Sequence, residues 1–205
     1  MKRENKTVNN KTTNVFFINC VEYCRNDVSQ LKKKFESLKY SCNEININNV
    51  SDLRTAVNNQ KENLFEISVV FLFTYGFNYD YFFFGSEFCD RSTLYNHFKN
   101  LKRNKEDPLI LFSNLFYKSA TADHIYVEEE ELYVTNMHTI QMNTFSPAQE
   151  GSFLARYMTE ESGSKSTIMD LSNKVCRKFH DREGVGKHSI YFRSDGALYD
   201  IFFPR

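Results

Sequence analysis

The sequence predicts an α/β fold with a mostly parallel sheet of six strands and helices on both faces. The first observation is a run rich in Val and Phe at residues 67–76, which has one polar break near its start and ends at Gly76. Such a run is typical of a central strand that is buried on both faces. The second observation is that strand-like runs alternate with segments of helical spacing, which indicates crossover connections between parallel strands. Ligands of open parallel sheets bind just beyond the carboxyl ends of the strands, so Tyr75 and Gly76 mark the expected position of any chemistry.

The first half of the chain contains four predicted strands, a hairpin and three helices. The strands are expected at residues 14–19, 41–48, 66–74 and 108–113, and the aromatic-rich hairpin at 79–85. Side chains that can cap a helix N-terminus stand before or at the start of each helix, at Asn26 or Asp27, Ser51 and Ser92. Apolar residues follow these caps at helical spacing: Val28, Leu31, Phe35 and Leu38, then Leu53, Ala56 and Val57, then Leu94, Phe98 and Leu101.

The second half is predicted to continue this alternation. A polar, acidic connection at 117–130 leads to a strand at 131–137 and a loop at 138–150, after which Ser152 and Ser166 open two helices. Two further strands, 189–193 and 197–203, flank an Asp-Gly turn, which predicts an antiparallel pair. Because the chain contains no repeats and no convincing linker, residues 14–205 are expected to form one domain that follows a disordered polar tail at 1–13.

Composition excludes several classes of function. Lys and Arg number 26, as do Asp and Glu, so the formal charge is zero and nothing favours a nucleic-acid partner. The apolar runs are shorter than the roughly 20 residues that span a bilayer, and the N-terminus lacks the apolar segment of a signal peptide. The five cysteines are scattered and odd in number, which favours a reducing, cytoplasmic setting over a disulfide framework. The histidines show no metal-ligand spacing, so we expect neither a metal nor a cofactor.

Six local patterns, in order, resemble one protein family. Residues 27–40 follow D-x-x-x-L-x-x-x-F-x-x-L with a tyrosine close behind, and residues 74–76 read Thr-Tyr-Gly where that family has Ser-His-Gly. The remaining four patterns are the strand at 108–116, the segments at 124–133 and 150–153, and the V-x-x-x-F of 175–179. Together they resemble the caspase family of cysteine proteases over residues 14–203. The resemblance implies a three-layer sandwich with a large-subunit-like part at 14–122 and a small-subunit-like part at 123–205.

The catalytic residues of the family are replaced here. Tyr75 stands where the resemblance places the histidine, and a phenol titrates near 10, against about 6.5 for imidazole. Phe116 stands where it places the cysteine, or Leu115 if the alignment slips by one residue; a slip of two gives Asn114 or Tyr117. A cysteine protease needs a thiolate and a proton acceptor, so the resemblance implies a protein that is not an enzyme.

The substrate pocket and the processing linker also depart from the family. Caspases hold a substrate aspartate with two arginines and a glutamine, and the matching positions are Arg25, Ser146 and Asn114. Ser146 and Asn114 cannot supply a bidentate guanidinium clamp. The connection between Phe116 and Glu131 is shorter than a typical processing linker, so an uncleaved chain is expected.

A strand near the C-terminus is a candidate interface. In caspases the corresponding strand lies at the sheet edge and pairs with its twin across a two-fold axis. An exposed edge is a template for pairing with another chain, which makes this strand a predicted dimer or partner seam. The alternative is an edge that Arg193 keeps monomeric. The residues concerned are Ile190, Tyr191, Phe192 and Arg193.

The resemblance therefore predicts a pseudocaspase that modulates, and by preference inhibits, apoptosis by binding a caspase or a caspase-activating complex. Pseudocaspases are used by insect viruses and by host cells, so a viral origin is one expectation. Two alternatives stay open at this point. The protein could be a homodimeric scaffold unrelated to caspase control, or a residual cysteine hydrolase with a relocated nucleophile, such as Cys89 beside His97.

Overall fold

A computed structural model describes residues 4–7, 12–60, 65–78, 81–104, 107–117, 139–147, 151–162, 166–183, 190–195 and 199–203. The strands are β1 Glu4–Thr7, β2 Thr13–Asn19, β3 Ser41–Asn46, β4 Ile67–Asn78, β5 Tyr81–Phe84, β6 Glu87–Asp90, β7 Leu109–Tyr117, β8 Thr139–Pro147, β9 Ser166–Thr167, β10 Ile190–Asp195 and β11 Tyr199–Phe203. The helices are α1 Arg25–Ser37, α2 Val50–Asn58, α3 Arg91–Phe98, α4 Phe153–Glu161 and α5 Ile168–Glu183. Short 3-10 turns precede α1 and follow α3.

The main sheet has the strand order β10-β8-β7-β4-β2-β3. The five strands from β8 to β3 run parallel, and β10 is antiparallel to β8 at one edge. The predicted α/β class and the mostly parallel six-stranded sheet are thus confirmed. The predicted central strand, β4, lies between β2 and β7, and the hairpin β5–β6 pairs with the end of β4 beyond Thr74.

Alternate residues of β4 enter two separate cores. Phe71 and Phe73 face a core that contains residues of α1, α4 and α5, whereas Val70 and Leu72 face one that contains residues of α2 and α3. Helices therefore cover both faces of the sheet, as a parallel sheet requires. On the first face, Phe71 stacks on Phe17 of β2 at 5.3 Å and on a phenylalanine of β7, Phe112, at 5.0 Å between ring centroids. The three residues are register partners, so this aromatic row joins the three central strands on one face of the sheet.

Three of the predicted helix caps are wrong. Helix α1 begins at Arg25, before Asn26 and Asp27, and its N-cap Cys24 makes no side-chain cap bond. Helix α2 is capped by Asn49 instead of Ser51, and α3 by Asp90 instead of Ser92. In both cases a carboxylate or amide two residues upstream accepts a hydrogen bond from the first turn, at 2.7 and 2.8 Å. The predicted cap of α4, Ser152, is confirmed.

The second half of the chain departs further from prediction. Residues 139–147, predicted as loop, form β8 inside the sheet, while the predicted strand at 131–137 lies outside the described residues. Strands β10 and β11 are not an antiparallel pair: β10 pairs with β8, and β11 pairs with β1 and β9. Helix α5 begins at Ile168, because residues 166–167 form β9. The long partner β8 offers β10 six residue pairs, more than a short hairpin would supply.

The predicted disordered tail is also corrected in part. Residues 4–7 form β1, which runs parallel to β11, so that β1, β11 and β9 make a second, three-stranded sheet. Propensity could not predict this strand, because Glu, Asn and Lys are depleted in strands. Among the described residues, no helix is both long enough and apolar enough to cross a membrane.

Candidate functional site

Tyr75 and Phe116 lie side by side at the carboxyl end of the sheet. They are register partners on β4 and β7, and their rings meet edge to face with centroids 6.4 Å apart. Phe116 is fully buried, and Tyr75 is partly buried against the same core, on the face covered by α1, α4 and α5. The two residues that the caspase resemblance assigns to the catalytic positions are therefore neighbours, and their rings are in contact.

The geometry of β7 separates the residues that could match the catalytic cysteine of the caspase resemblance. Side chains alternate across a strand, and Leu115 belongs to the core on the opposite face of the sheet. Asn114 lies two residues before Phe116 on the same strand. Its side chain contacts Ser152, the N-cap residue of α4. Of Asn114, Leu115 and Phe116, it is Phe116 whose ring meets that of Tyr75.

Tyr75 has little capacity to act as a base. Burial raises the pKa of its phenol, and the negative charge that Tyr23 and Cys24 would carry when ionised raises it further. The phenol therefore stays protonated at neutral pH and can donate a hydrogen bond but not accept a proton.

Gly76 lies where the hairpin approaches β4 closely. A Cβ atom at this position would lie 3.1 Å from a methyl carbon of Leu115 and 3.1 Å from the carbonyl oxygen of Tyr81. Close packing where β5 returns along β4 therefore accounts for a glycine at this position.

Asn114 is held by the protein itself. Its side chain is fully buried, and its Oδ1 accepts a hydrogen bond from Ser152 Oγ at 2.7 Å. The same Ser152 Oγ accepts from the Ala155 backbone N–H at 3.0 Å and so caps α4. The amide at the position that the caspase resemblance assigns to a glutamine thus contacts the residue that caps α4.

A second polar contact joins α1 to α4. Asp27 accepts hydrogen bonds from the Ser152 backbone N–H at 2.8 Å and from Arg156 Nε at 3.1 Å. Gly151 adopts a φ of +78°, and a Cβ there would collide with the Asp27 carboxylate. We call Asp27, Gly151, Ser152 and Arg156 the α1–α4 clamp. Sequence reasoning missed it, although Asp27 and Gly151 both belong to the patterns that resemble caspases.

The other two predicted pocket residues have different settings. Ser146 lies on β8 opposite Phe116, which extends the row formed by Tyr75 and Phe116 to a third strand. Arg25 is the first residue of α1 and is exposed. The structure thus aligns Tyr75, Phe116 and Ser146 across the sheet, and places Arg25 on a helix.

The cysteine thiols are poorly suited to nucleophilic chemistry. All five are free, and burial is the main cause that raises their pKa, to about 12 for Cys20, Cys24, Cys42 and Cys89. For Cys176 burial raises the pKa as well. A thiolate is the reactive form, so little of it is present at pH 7. Burial, with Arg54 nearby, lowers the pKa of His97. The described residues hold no group of three or more His, Cys, Asp or Glu that could bind a metal.

Strand β10 lies at the edge of the main sheet, as predicted. Its inner side pairs with β8, with Ile190 opposite Thr144 and Arg193 opposite Gln141. Within the part of the chain that the structure describes, no strand pairs with its outer side. The backbone groups on that side can pair with another chain.

Comparison with known proteins does not assign a family. No protein-family model matches the sequence, and no curated protein matches it significantly. The caspase resemblance therefore stays a prediction that depends on the patterns quoted above.

Proposed function

We propose that this chain is a non-catalytic caspase-like protein that inhibits apoptosis by binding a caspase or a caspase-activating complex. The observation that carries the proposal is the contact between Tyr75 and Phe116. These residues occupy the positions that the resemblance assigns to the catalytic histidine and cysteine, and they are register partners at the carboxyl end of adjacent strands. Two sequence positions 41 residues apart are thus neighbours where a catalytic pair would have to be.

The chemistry of these positions supports a role without catalysis. A phenyl ring has no nucleophile, and the phenol of Tyr75 is protonated at neutral pH because burial raises its pKa. Asn114 is bonded to Ser152, which leaves its Oδ1 engaged inside the protein. Removing a nucleophile alone costs about a million-fold in a serine protease, so replacement of both partners would leave no useful turnover.

The layered fold also agrees with the proposal. A three-layer sandwich requires helices on both faces of one mostly parallel sheet, and α1, α4 and α5 cover one face while α2 and α3 cover the other. The edge position of β10 makes this strand the proposed binding surface for the partner. A strand of a caspase could add to β10 by backbone hydrogen bonds, which gives a heterodimer with one inactive member.

The test is to mix the protein with active initiator and executioner caspases from an insect or other animal host. We expect peptide hydrolysis to fall while light scattering records a new heteromeric mass. Ile190→Glu with Phe192→Glu on β10 should abolish both effects, because charged residues on an edge strand oppose pairing. The matched control is Asn46→Glu, an exposed position on β3 at the opposite edge of the same sheet. Unchanged hydrolysis and no heteromer would contradict the proposal.

A second candidate function is a homodimeric scaffold unrelated to caspase control. The outer side of β10, with which none of the described strands pairs, favours it equally, because a two-fold axis can pair this strand with its own copy. The mixing experiment separates the two candidates. A mass that rises with protein concentration, and that added caspases do not change, supports the scaffold.

A further inference from the structure

The small second sheet has its most apolar strand in the middle. Its middle strand is β11, whose sequence Tyr-Asp-Ile-Phe-Phe is dominated by aromatic and β-branched residues, and which pairs with β9 through only two residues. One of its two edge strands is β1, with the sequence Glu-Asn-Lys-Thr. The residues with strong β-propensity are thus in the middle, and the polar strand is at the edge.

The composition of β1 is typical of a strand that protects an edge. Short length and charged residues, lysine above all, are the devices by which proteins prevent edge strands from pairing with other chains. Four residues of β1, with Glu4 opposite Tyr199 and Thr7 opposite Phe202, cover almost the whole length of β11. Because β1 pairs with β11 through only four residues of low β-propensity, we infer that β1 is the strand of this sheet that can detach.

The sequence of β11 also suits pairing with itself. When two copies are aligned antiparallel about a two-fold axis through Ile201, Tyr199 is opposite Phe203 and Asp200 is opposite Phe202. The two aspartates are therefore not opposite each other, and like charges directly opposite are what destabilises such pairs. The register brings Tyr199 together with Phe203 and Ile201 together with its own copy on one face, whereas Asp200 lies beside Phe202 on the other.

We propose that the edge of β11 under β1 is a second self-association surface, closed by β1 and opened when β1 detaches. Its occupant is β11 of a second copy of this chain, paired antiparallel about a two-fold axis. This surface is distinct from β10, which belongs to the other sheet. The inference is independent of the proposed function, since it requires no caspase.

The experiment detaches β1 by substituting proline in the full chain. In a parallel strand, each residue directs its backbone N–H and carbonyl to one side, and the next residue directs them to the other. Of Asn5→Pro and Lys6→Pro, one therefore breaks the bonds to β11, and the other removes an N–H that faces away from β11 and serves as the matched control. Both variants are made in an Ile190→Glu background, which removes association through β10.

We expect one of the two proline variants to double its mass with rising concentration, as measured by sedimentation, while the other stays at the wild-type mass. Adding Ile201→Lys, which places a charge opposite its own copy, should return the associating variant to the monomer. Amide hydrogen exchange over residues 199–203 separates strand pairing from unfolding. If two copies of β11 pair, the protection of these amides should increase with protein concentration. If neither proline variant associates, or if association leaves residues 199–203 unprotected, the inference is overturned.

Discussion

At the scale of single residues, the two positions that the caspase resemblance assigns to catalysis pack in or against the core. Phe116 is fully buried and touches Tyr75, so its ring contributes packing. A buried aromatic ring of this kind contributes about 3 kcal/mol or more to stability, because its removal loses both transfer free energy and contacts around the cavity.

We therefore expect Phe116→Ala to lower the free energy of unfolding by about 3 kcal/mol. The matched control is Phe88→Ala on the β5–β6 hairpin, since Phe88 is 61% exposed and should cost less than about 1 kcal/mol. Denaturant unfolding followed by circular dichroism measures both values. Equal losses in the two variants would show that Phe116 is not part of the core.

At the scale of secondary-structure elements, the α1–α4 clamp orients two helices on one face of the sheet. Its two kinds of contact differ in strength. Arg156 is 42% exposed, and an ion pair at that exposure contributes at most about 1 kcal/mol. The Ser152 N–H is more important, because a partly buried donor that loses its charged acceptor carries a desolvation penalty of about 2 kcal/mol.

Asp27→Ala should accordingly destabilise the protein by about 2–3 kcal/mol, and Arg156→Ala by less than about 1 kcal/mol. The exposed neighbour Asn26→Ala serves as control and should be close to neutral. Gly151→Ala should also destabilise, by more than about 1 kcal/mol, because the positive φ and the Asp27 carboxylate both oppose a Cβ atom. Equilibrium unfolding of the four variants decides the order, and a larger loss for Arg156→Ala than for Asp27→Ala would contradict it.

At the scale of the whole molecule, several buried thiols link stability to pH. In the folded state burial raises the pKa of Cys20, Cys24, Cys42 and Cys89 from the ordinary thiol value of 9.0 to about 12. The unfolded chain therefore loses these protons first as the pH rises. Stability is complete below the unfolded pKa and decreases between that value and the folded one.

We expect the midpoint of thermal unfolding, measured under reducing conditions, to be constant near pH 7 and to fall steadily above about pH 9. Replacing Cys89 with alanine should make the fall less steep, whereas Asn26→Ala, at an exposed residue that carries no titratable group, should leave the slope unchanged. A midpoint that does not change between pH 7 and pH 10.5 would refute the assignment of these thiols to the buried, protonated state.

The sequence by itself determined the α/β class, the central strand and the residues of most helix faces. Leu31, Leu53 and Leu94 are buried as predicted, because hydrophobic periodicity is a local property that any window of the chain displays. The caspase resemblance, the candidate positions Tyr75 and Phe116, the cytoplasmic setting and the viral origin stay predictions that depend on sequence patterns and composition.

Only the tertiary structure decided which strands pair and which polar groups meet. Strand β8 has a polar sequence, so nothing local distinguishes it from a loop until β7 and β10 pair with it on either side. The clamp joins Asp27 to Ser152 across 125 residues, and β1 finds β11 at the other end of the chain. Backbone hydrogen bonds and single carboxylate contacts depend on which segments become neighbours, and that choice is made by the packing of the whole molecule.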